Sequence, residues 1–165
     1  MTQHPVEPNA AILDILALRL IATVGTVSDD GTILLTPVWY QYEGGRLYMP
    51  TGGGSHKARN VRARPGVTVL VDQRHPERHR WASAVGTAEI ISGTESRAIN
   101  DRVRQRYLSA EGEATYGRLI EAFDDVTLVV TPTAWRVWTP GALSELAERH
   151  GRAPTDVADW FVPWD

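Results

Sequence analysis

Cysteine is missing from this 165-residue chain, and lysine occurs only once, at Lys57. Without cysteine the protein has no disulfides, no zinc site built on thiolates and no thiol nucleophile. No apolar run approaches the roughly 20 residues that a membrane-spanning helix needs. The N-terminus carries acidic residues and prolines where a signal peptide has a basic flank. We therefore expect a cytoplasmic protein.

Strong net charge is also absent. The formal charge is −3, with sixteen arginines and one lysine against 20 acidic residues, which argues against a dedicated nucleic-acid-binding protein. The length fits one domain. We expect its core over residues 10–140 and a C-terminal extension over 141–165. Trp160 and Trp164 in that extension predict an aromatic tail that covers a partner subunit or closes a pocket.

Short apolar runs separated by turn residues predict a sheet with few helices. Asn9 is a suitable N-cap for a helix over 10–20. Further helices are predicted over 94–123, 142–150 and 155–161. Strands are predicted over 21–27, 32–42, 46–51, 67–73, 80–92, 126–131 and 134–139. Most consecutive strands are joined by short turns, which favours an antiparallel barrel over a parallel sheet, so we predict an α+β fold.

A glycine-rich segment, Gly52-Gly53-Gly54-Ser55, precedes a short helix that Pro65 ends. Glycines let backbone amides converge on an anion, and a helix N-terminus adds partial positive charge. Lys57 in the first turn is unfavourable there unless an anion binds. Asn60, on the same helix face, is able to donate to a phosphate oxygen. The segment therefore predicts either an anion site or a plain glycine turn before a solvated helix. It is not a Walker A loop, because Ala58 follows the lysine.

The predicted second strand contains Pro37, which restricts it to a sheet edge or to a place where something other than protein pairs with it. Trp39, Tyr40 and Tyr42 follow closely. The strand could lie against the flat ring of a cofactor, or it could be an edge strand that packs its aromatic side chains into the core. These residues alone favour the second interpretation.

The order of these features resembles the flavin and deazaflavin oxidoreductases of the pyridoxamine 5′-phosphate oxidase family. The resemblance runs from about Ile12 to Trp138. It is carried by Asp30-Gly31, Thr36-Pro37-Val38-Trp39, Gly44-Gly45, Gly54-Ser55-x-Lys57-x-x-Asn60, Pro65 and Gly86. It implies a six- to seven-stranded antiparallel split β-barrel of the FMN-binding type, with flanking helices. The branch that the Thr-Pro-Val-Trp and Lys-Ala-Arg-Asn strings most resemble binds the deazaflavin coenzyme F420 or FMN.

The resemblance also implies a cofactor site between two subunits of a homodimer, and hydride transfer between the cofactor ring and a small flat substrate. The matching positions are Thr36, Pro37, Val38, Trp39, Thr51, Ser55, Lys57, Asn60, Trp81 and Trp138. In the family, the first four positions contact the ribityl chain and ring, and the next four hold the phosphate. The two tryptophans would lie beside the ring, the second reaching it across the interface.

Departures from the family pattern argue against vitamin B6 chemistry. Thr36, Gln41 and His56 stand where the oxidase itself has basic residues, and its basic C-terminal motif has no match in 141–165. No catalytic residue is assigned. The nearest proton-donor candidates are Tyr40, Tyr42 and His56. The alternative function is a non-enzymatic module on the same barrel that binds flavin, haem or a small metabolite.

Four other groups leave alternatives open. The loop with His75 and His79 is interpreted as a surface hairpin with no metal, although either histidine could be an axial haem ligand. A basic stripe could meet the acidic tail of a deazaflavin: Arg59, Arg62 and Arg64. A second arginine set is interpreted as a solvated helix face: Arg97, Arg102, Arg104 and Arg106. One face of the fifth strand has small residues that make room for a ring or for close packing: Ala82, Ala84, Gly86 and Ala88.

Overall fold

A single seven-stranded sheet dominates the computed structural model, which describes residues 5–75, 78–120 and 124–151. The strands are β1 Ala22–Val27, β2 Ile33–Val38, β3 Gln41–Glu43, β4 Arg46–Gly52, β5 Gly66–Gln73, β6 Arg80–Ile91 and β7 Asp125–Trp138. The helices are α1 Ala10–Ala17, α2 His56–Ala63, α3 Gly93–Tyr107, α4 Ala110–Ile120 and α5 Gly141–Arg149. All strand pairs are antiparallel, in the order β2-β1-β5-β6-β7-β4-β3. The sheet curls into a half-barrel, which confirms the predicted α+β fold.

One face of the sheet carries the core, because side chains alternate between the two faces of a strand. The inward residues of β1, β5 and β6 are almost fully buried together with Ile12, Ile15 and Leu16 of α1. The small residues of β6 belong to this face, and a Cβ on Gly86 would come within 2.2 Å of the Thr131 carbonyl oxygen. Close packing therefore explains them. Within the described parts of the chain, no helix is long and apolar enough to cross a membrane.

The prediction of one strand over 32–42 is wrong. The chain leaves β2 after Val38 and re-enters the sheet as β3 at the opposite edge. The fully buried Tyr40 lies between them, and its hydroxyl donates to the carbonyl oxygens of Leu16 at 3.1 Å and Leu18 at 3.3 Å. These bonds hold the segment between β2 and β3 against the end of α1. There its backbone continues neither the β1–β2 ladder nor the β3–β4 ladder.

The prediction of two strands over 126–131 and 134–139 is also wrong, because β7 is continuous. Val85 pairs with Ala134 and Gly86 with Pro132, which leaves Thr133 as an extra residue in β7. Its hydroxyl donates to the Val85 carbonyl oxygen at 3.1 Å. Such a bulge exchanges the faces of the residues that follow it. Trp138 consequently shares the outer face of the sheet with its partner Trp81.

The helices begin largely as predicted, but two end earlier. Asn9 caps α1 through a bond from the Ile12 amide to its side-chain oxygen at 3.0 Å. That helix stops at Ala17, where Arg106 donates to the carbonyl oxygens of its last turn. The single helix predicted over 94–123 is two helices. The backbone is extended at Leu108, and Ser109 accepts the Gly112 amide at 3.1 Å. The predicted helix over 155–161 and the predicted aromatic tail with Trp160 and Trp164 lie outside the described residues.

Candidate functional site

A pocket of about 810 Å³ lies where the ends of β2 and β4 approach the start of α2, and we call it the edge pocket. Five of the predicted binding residues line it: Pro37, Val38, Trp39, Thr51 and Lys57. The other lining residues are not among the positions that the family resemblance assigned to the cofactor: Ile21, Pro50, Gly52, Arg104, Tyr116 and Asp125. Folding therefore brings the proline-containing strand and the glycine-rich loop to one cavity.

Lys57 supplies an unpaired cation to this pocket. Its side chain is half-buried and has no hydrogen bond or ion pair to any described residue. Burial lowers the pKa of Lys57 below its usual range, because the charged form loses hydration. It also lies in the first turn of α2, where the helix dipole opposes a positive charge. Both effects disfavour the ammonium group until an anion binds beside it.

The predicted N-cap of α2 is confirmed. The Ser55 hydroxyl accepts the Ala58 amide at 3.3 Å and lies 3.2 Å from the Thr51 hydroxyl. In the loop before it, the Gly53 amide donates to the Asp124 carbonyl oxygen at 2.6 Å. A Cβ on Gly53 would lie 2.1 Å from the Asp124 carboxylate, so only glycine fits without a shift there. The glycine loop after β4 is therefore packed against Asp124, the residue that precedes β7.

Asn60 does not line the edge pocket. It is buried, and its amide donates to the hydroxyl oxygens of Thr26 at 3.0 Å and Ser28 at 3.3 Å. These bonds tie α2 to the end of β1. The structure therefore gives Asn60 a structural role that fixes the helix carrying Lys57.

Replacing Asn60 tests that role. We expect Asn60→Ala to lower the free energy of unfolding by about 1–2 kcal/mol, because a buried hydrogen-bonded amide is lost. Denaturant titration measures the change. Arg97→Ala is the control, because Arg97 is exposed on α3 and has no hydrogen bond or ion pair to any described residue; it should change stability by less than about 0.5 kcal/mol. Equal stability of the two variants would contradict the role assigned to Asn60.

The basic stripe is largely engaged with the protein itself. Arg59 donates to the Gly54 carbonyl oxygen at 2.5 Å, and Arg62 donates to that of Gly53 at 2.6 Å. Arg64 pairs with Asp29 at 2.5 Å and donates to the Val27 carbonyl oxygen at 2.9 Å. The first two arginines therefore fix the glycine loop, and the third fixes the first hairpin.

Trp39 and Tyr116 form the aromatic side of the edge pocket. Trp39 stacks on Tyr107 of α3, with ring centroids 5.2 Å apart and planes within 5°. Tyr116 lies on α4, with its ring 5.6 Å from that of Trp39 and tilted by 48°. No sequence motif marked Tyr116. The only signal was the long helical stretch between β6 and β7, in a chain whose other connections between strands are shorter.

None of the three proton-donor candidates lines the edge pocket. Tyr40 is fully buried, its hydroxyl faces α1, and desolvation raises its pKa. Burial also raises the pKa of Tyr42, whose ring meets that of Trp135 edge-on. His56 is exposed, and its Nδ1 lies 2.9 Å from the Arg59 guanidinium. Tyr116 is the hydroxyl-bearing aromatic residue that does line the pocket.

The interpretation of the second arginine set as a solvated face is wrong for two members. Arg104 is 9% exposed and contacts the carboxylates of Asp101, of Glu113 at 3.3 Å and of Asp125 at 3.3 Å. Arg106 caps α1, as described above. The helical periodicity of the sequence distributes these arginines around α3. It does not show that β7 and α4 cover the side of α3 that carries Arg104.

The two remaining predicted tryptophans lie away from the edge pocket. Trp81 lines a shallow depression of about 880 Å³ on the opposite, outer face of the sheet, and Trp138 pairs with it. His79 packs its ring 5.1 Å from that of Trp138. Among the residues that the structure describes, no cluster of three or more His, Asp or Glu side chains could hold a metal ion.

A protein-family model described as pyridoxamine 5′-phosphate oxidase matches residues 9–139. No curated protein matches the chain. Among solved structures, a conserved hypothetical protein from Mycobacterium tuberculosis is 26% identical, with a TM-score of 0.68, over 87% of this chain and 93% of its own.

Two further structures show how functions differ on this fold. An F420 reductase is 26% identical, with a TM-score of 0.61, over 79% of this chain and 98% of its own. The haem storage protein of Vibrio cholerae is 13% identical, with a TM-score of 0.61, over 78% of this chain and 91% of its own. The second likeness concerns the fold alone.

Proposed function

Because this chain belongs to the pyridoxamine 5′-phosphate oxidase family, we propose that it is an oxidoreductase that binds coenzyme F420 or FMN in the edge pocket. Hydride would pass between the cofactor ring and a small planar substrate. The observation that carries this proposal is the half-buried, unpaired ammonium group of Lys57 in the same pocket as Trp39. The pocket thus offers a cation for a phosphate, with apolar and aromatic walls for the flat rings of a cofactor and a substrate.

The residues of the pocket fit such a cofactor. Lys57 and the Thr51 hydroxyl would hold the phosphate, supported by the unpaired amides at the start of α2. Pro37 and Val38 would border the ring, and Pro37 has no amide hydrogen that would need a partner. A bound flavin or deazaflavin supplies the hydride chemistry, and the chain orients it and excludes water.

Of the two cofactors, we propose coenzyme F420. The supporting observation is the 26% identity with an F420 reductase over 79% of this chain. Arg59 also lies exposed beside the loop and could meet an acidic tail that leaves the pocket. Both cofactors carry a phosphate and a tricyclic ring, so Lys57 serves either.

Titration of cofactor-free protein with each cofactor, followed through ring fluorescence, tests the proposal. We expect saturable binding of one of them. Reduction of that complex and its reoxidation by an acceptor would then separate an oxidoreductase from a binding module. Absence of binding to both cofactors would overturn the proposal.

We also propose that the protein is a homodimer whose partner completes the site. The outer face exposes the apolar side chains of Ile33 (69%), Leu35 (66%) and Val85 (42%), and contiguous exposed apolar side chains often mark a protein interface. Pro37 continues the row of Ile33 and Leu35 along β2, so this patch reaches the edge pocket. A second copy on the outer face could bring its Trp81 and Trp138 to the first copy's pocket.

Leu35→Glu should disrupt this dimer, because it places a charge in an apolar interface. We expect sedimentation at the monomer mass and at least tenfold weaker cofactor binding. Leu13→Glu is the matched control, since Leu13 is 43% exposed but lies on α1, on the core side of the sheet. The proposal would be contradicted if the Leu35→Glu variant remained a dimer and bound the cofactor with normal affinity.

A further inference from the structure

Two aromatic rings form an open corner at the side of the edge pocket that α4 covers. Trp39 is held by stacking on Tyr107, whose hydroxyl donates to the Leu20 carbonyl oxygen at 2.7 Å. Tyr116 is 40% exposed, and its hydroxyl has no partner among the described residues. One wall of the corner is therefore fixed, and the other is open to a ligand. Aromatic rings stack or meet edge-on at centroid distances of about 4.5–7 Å.

A carboxylate-rich cluster around Arg104 lies beside this corner, whereas the Arg106 guanidinium lies 6.0 Å from the Tyr107 ring on which Trp39 stacks. Arg104 is shared among Asp101, Glu113 and Asp125, so one positive charge faces three negative ones. Glu113 Oε2 is buried and has no hydrogen-bond partner in the described part of the chain. Arg104 and Asp125 both line the pocket, and Glu113 lies behind them in the same ion-pair cluster. Lys57 is the other cation of the lining, and the proposed function uses it for the phosphate.

We propose that the corner formed by Trp39 and Tyr116 is the substrate subsite, and that it selects flat aromatic rings that are neutral or cationic over acidic ones. The two rings supply the stacking surface. The carboxylates around Arg104 disfavour a negatively charged ring, because like charges repel strongly where water is partly excluded. The assignment to a substrate rests on the proposed function, but binding of the ring itself can be measured separately.

The probe is 1,4-naphthoquinone, compared with its 2-sulfonate, which adds one negative charge to the same ring. Because the chain has no cysteine, quinone addition to a thiol cannot complicate the measurement. Calorimetry on the full chain, with and without bound cofactor, should show the neutral ring binding at least tenfold more tightly than the sulfonate. Tyr116→Ala should weaken binding of the neutral ring at least tenfold and leave cofactor affinity within twofold, and Tyr116→Phe should retain both.

Glu113→Gln tests the charge selection. Removing this carboxylate should reduce the preference for the neutral ring at least threefold, mainly through tighter binding of the sulfonate. Glu111→Gln is the matched control, because Glu111 lies on the same helix, is exposed and has no contact with Arg104. An unchanged preference in Glu113→Gln would overturn the charge argument.

Other outcomes separate this inference from the proposed function. If the protein binds F420 or FMN but no naphthoquinone, or if Tyr116→Ala weakens the cofactor and not the quinone, the subsite is refuted and the cofactor site stands. If the protein binds the neutral ring through Tyr116 but neither cofactor, the aromatic corner stands and its role in an oxidoreductase is refuted.

Discussion

Lys57→Ala should weaken binding of the preferred cofactor at least tenfold. Loss of a charge-assisted contact to a phosphate costs about 1.5–3 kcal/mol, and no other side chain offers an unpaired cation to the edge pocket within the described residues. Fluorescence titration of the purified variant measures the change. Lys57→Arg is the control, because it keeps the charge at the same helix position and should recover most of the affinity.

Two further measurements on Lys57 distinguish phosphate binding from a purely structural role. Burial lowers the pKa of Lys57, so its ammonium group loses the proton below the ordinary lysine value of about 10.4. Phosphate binding needs that proton. Wild-type affinity for the cofactor should therefore fall as the pH rises through the lowered pKa of Lys57, whereas the Lys57→Arg variant should keep its affinity. Lys57→Ala should also be at least as stable as the wild type without cofactor. A less stable variant with unchanged affinity would contradict the binding role.

Arg104→Met should destabilise the fold by about 3 kcal/mol at neutral pH. Arg104 is 9% exposed, and its removal leaves Asp101, Glu113 and Asp125 together without a cation. Breaking a buried ion pair from one side costs about 3–5 kcal/mol, and the partial exposure of these carboxylates places the expected value at the lower end. Denaturant unfolding at neutral pH measures the loss.

Arg102→Met is the matched control for that experiment. Arg102 lies on the same helix and pairs with Glu43 at 3.3 Å, but both side chains are about half exposed. Exposed ion pairs contribute about 0–1 kcal/mol, so the change should fall within that range. Similar destabilisation by the two substitutions would mean that the buried cluster has no special role.

Local signals in the sequence were sufficient to predict most of the helices and strands. The caps at Asn9 and Ser55 were identified because a capping side chain and an apolar periodicity coincide there. Pro37 correctly indicated an edge strand. The break between β2 and β3 was missed because Trp39 and Tyr40 have high strand propensity, and only the contact of Tyr40 with α1 interrupts the ladder.

The candidate site was predictable to the extent that it lies in one continuous segment. Thr51 and Lys57 lie within seven residues of each other, and the loop motif marked both. Arg104, Tyr116 and Asp125 reach the pocket from α3, α4 and β7, and their sequence surroundings are those of ordinary helix and strand ends. Only the three-dimensional packing shows that they share a cavity with the glycine loop.

The crossover at Trp39 and Tyr40 also determines when the site can form during folding. Among the described strands, β4 pairs only with β3 and β7. The β3–β4 hairpin therefore joins the rest of the sheet through a ladder that includes Thr51 and Val126. Contacts between residues so distant in sequence close slowly, because the intervening chain must lose its conformational entropy first. The edge pocket takes one wall from β2 and another from β4. We therefore expect the pocket to assemble late, so that a nascent chain can bind a ligand there only after β7 has left the ribosome.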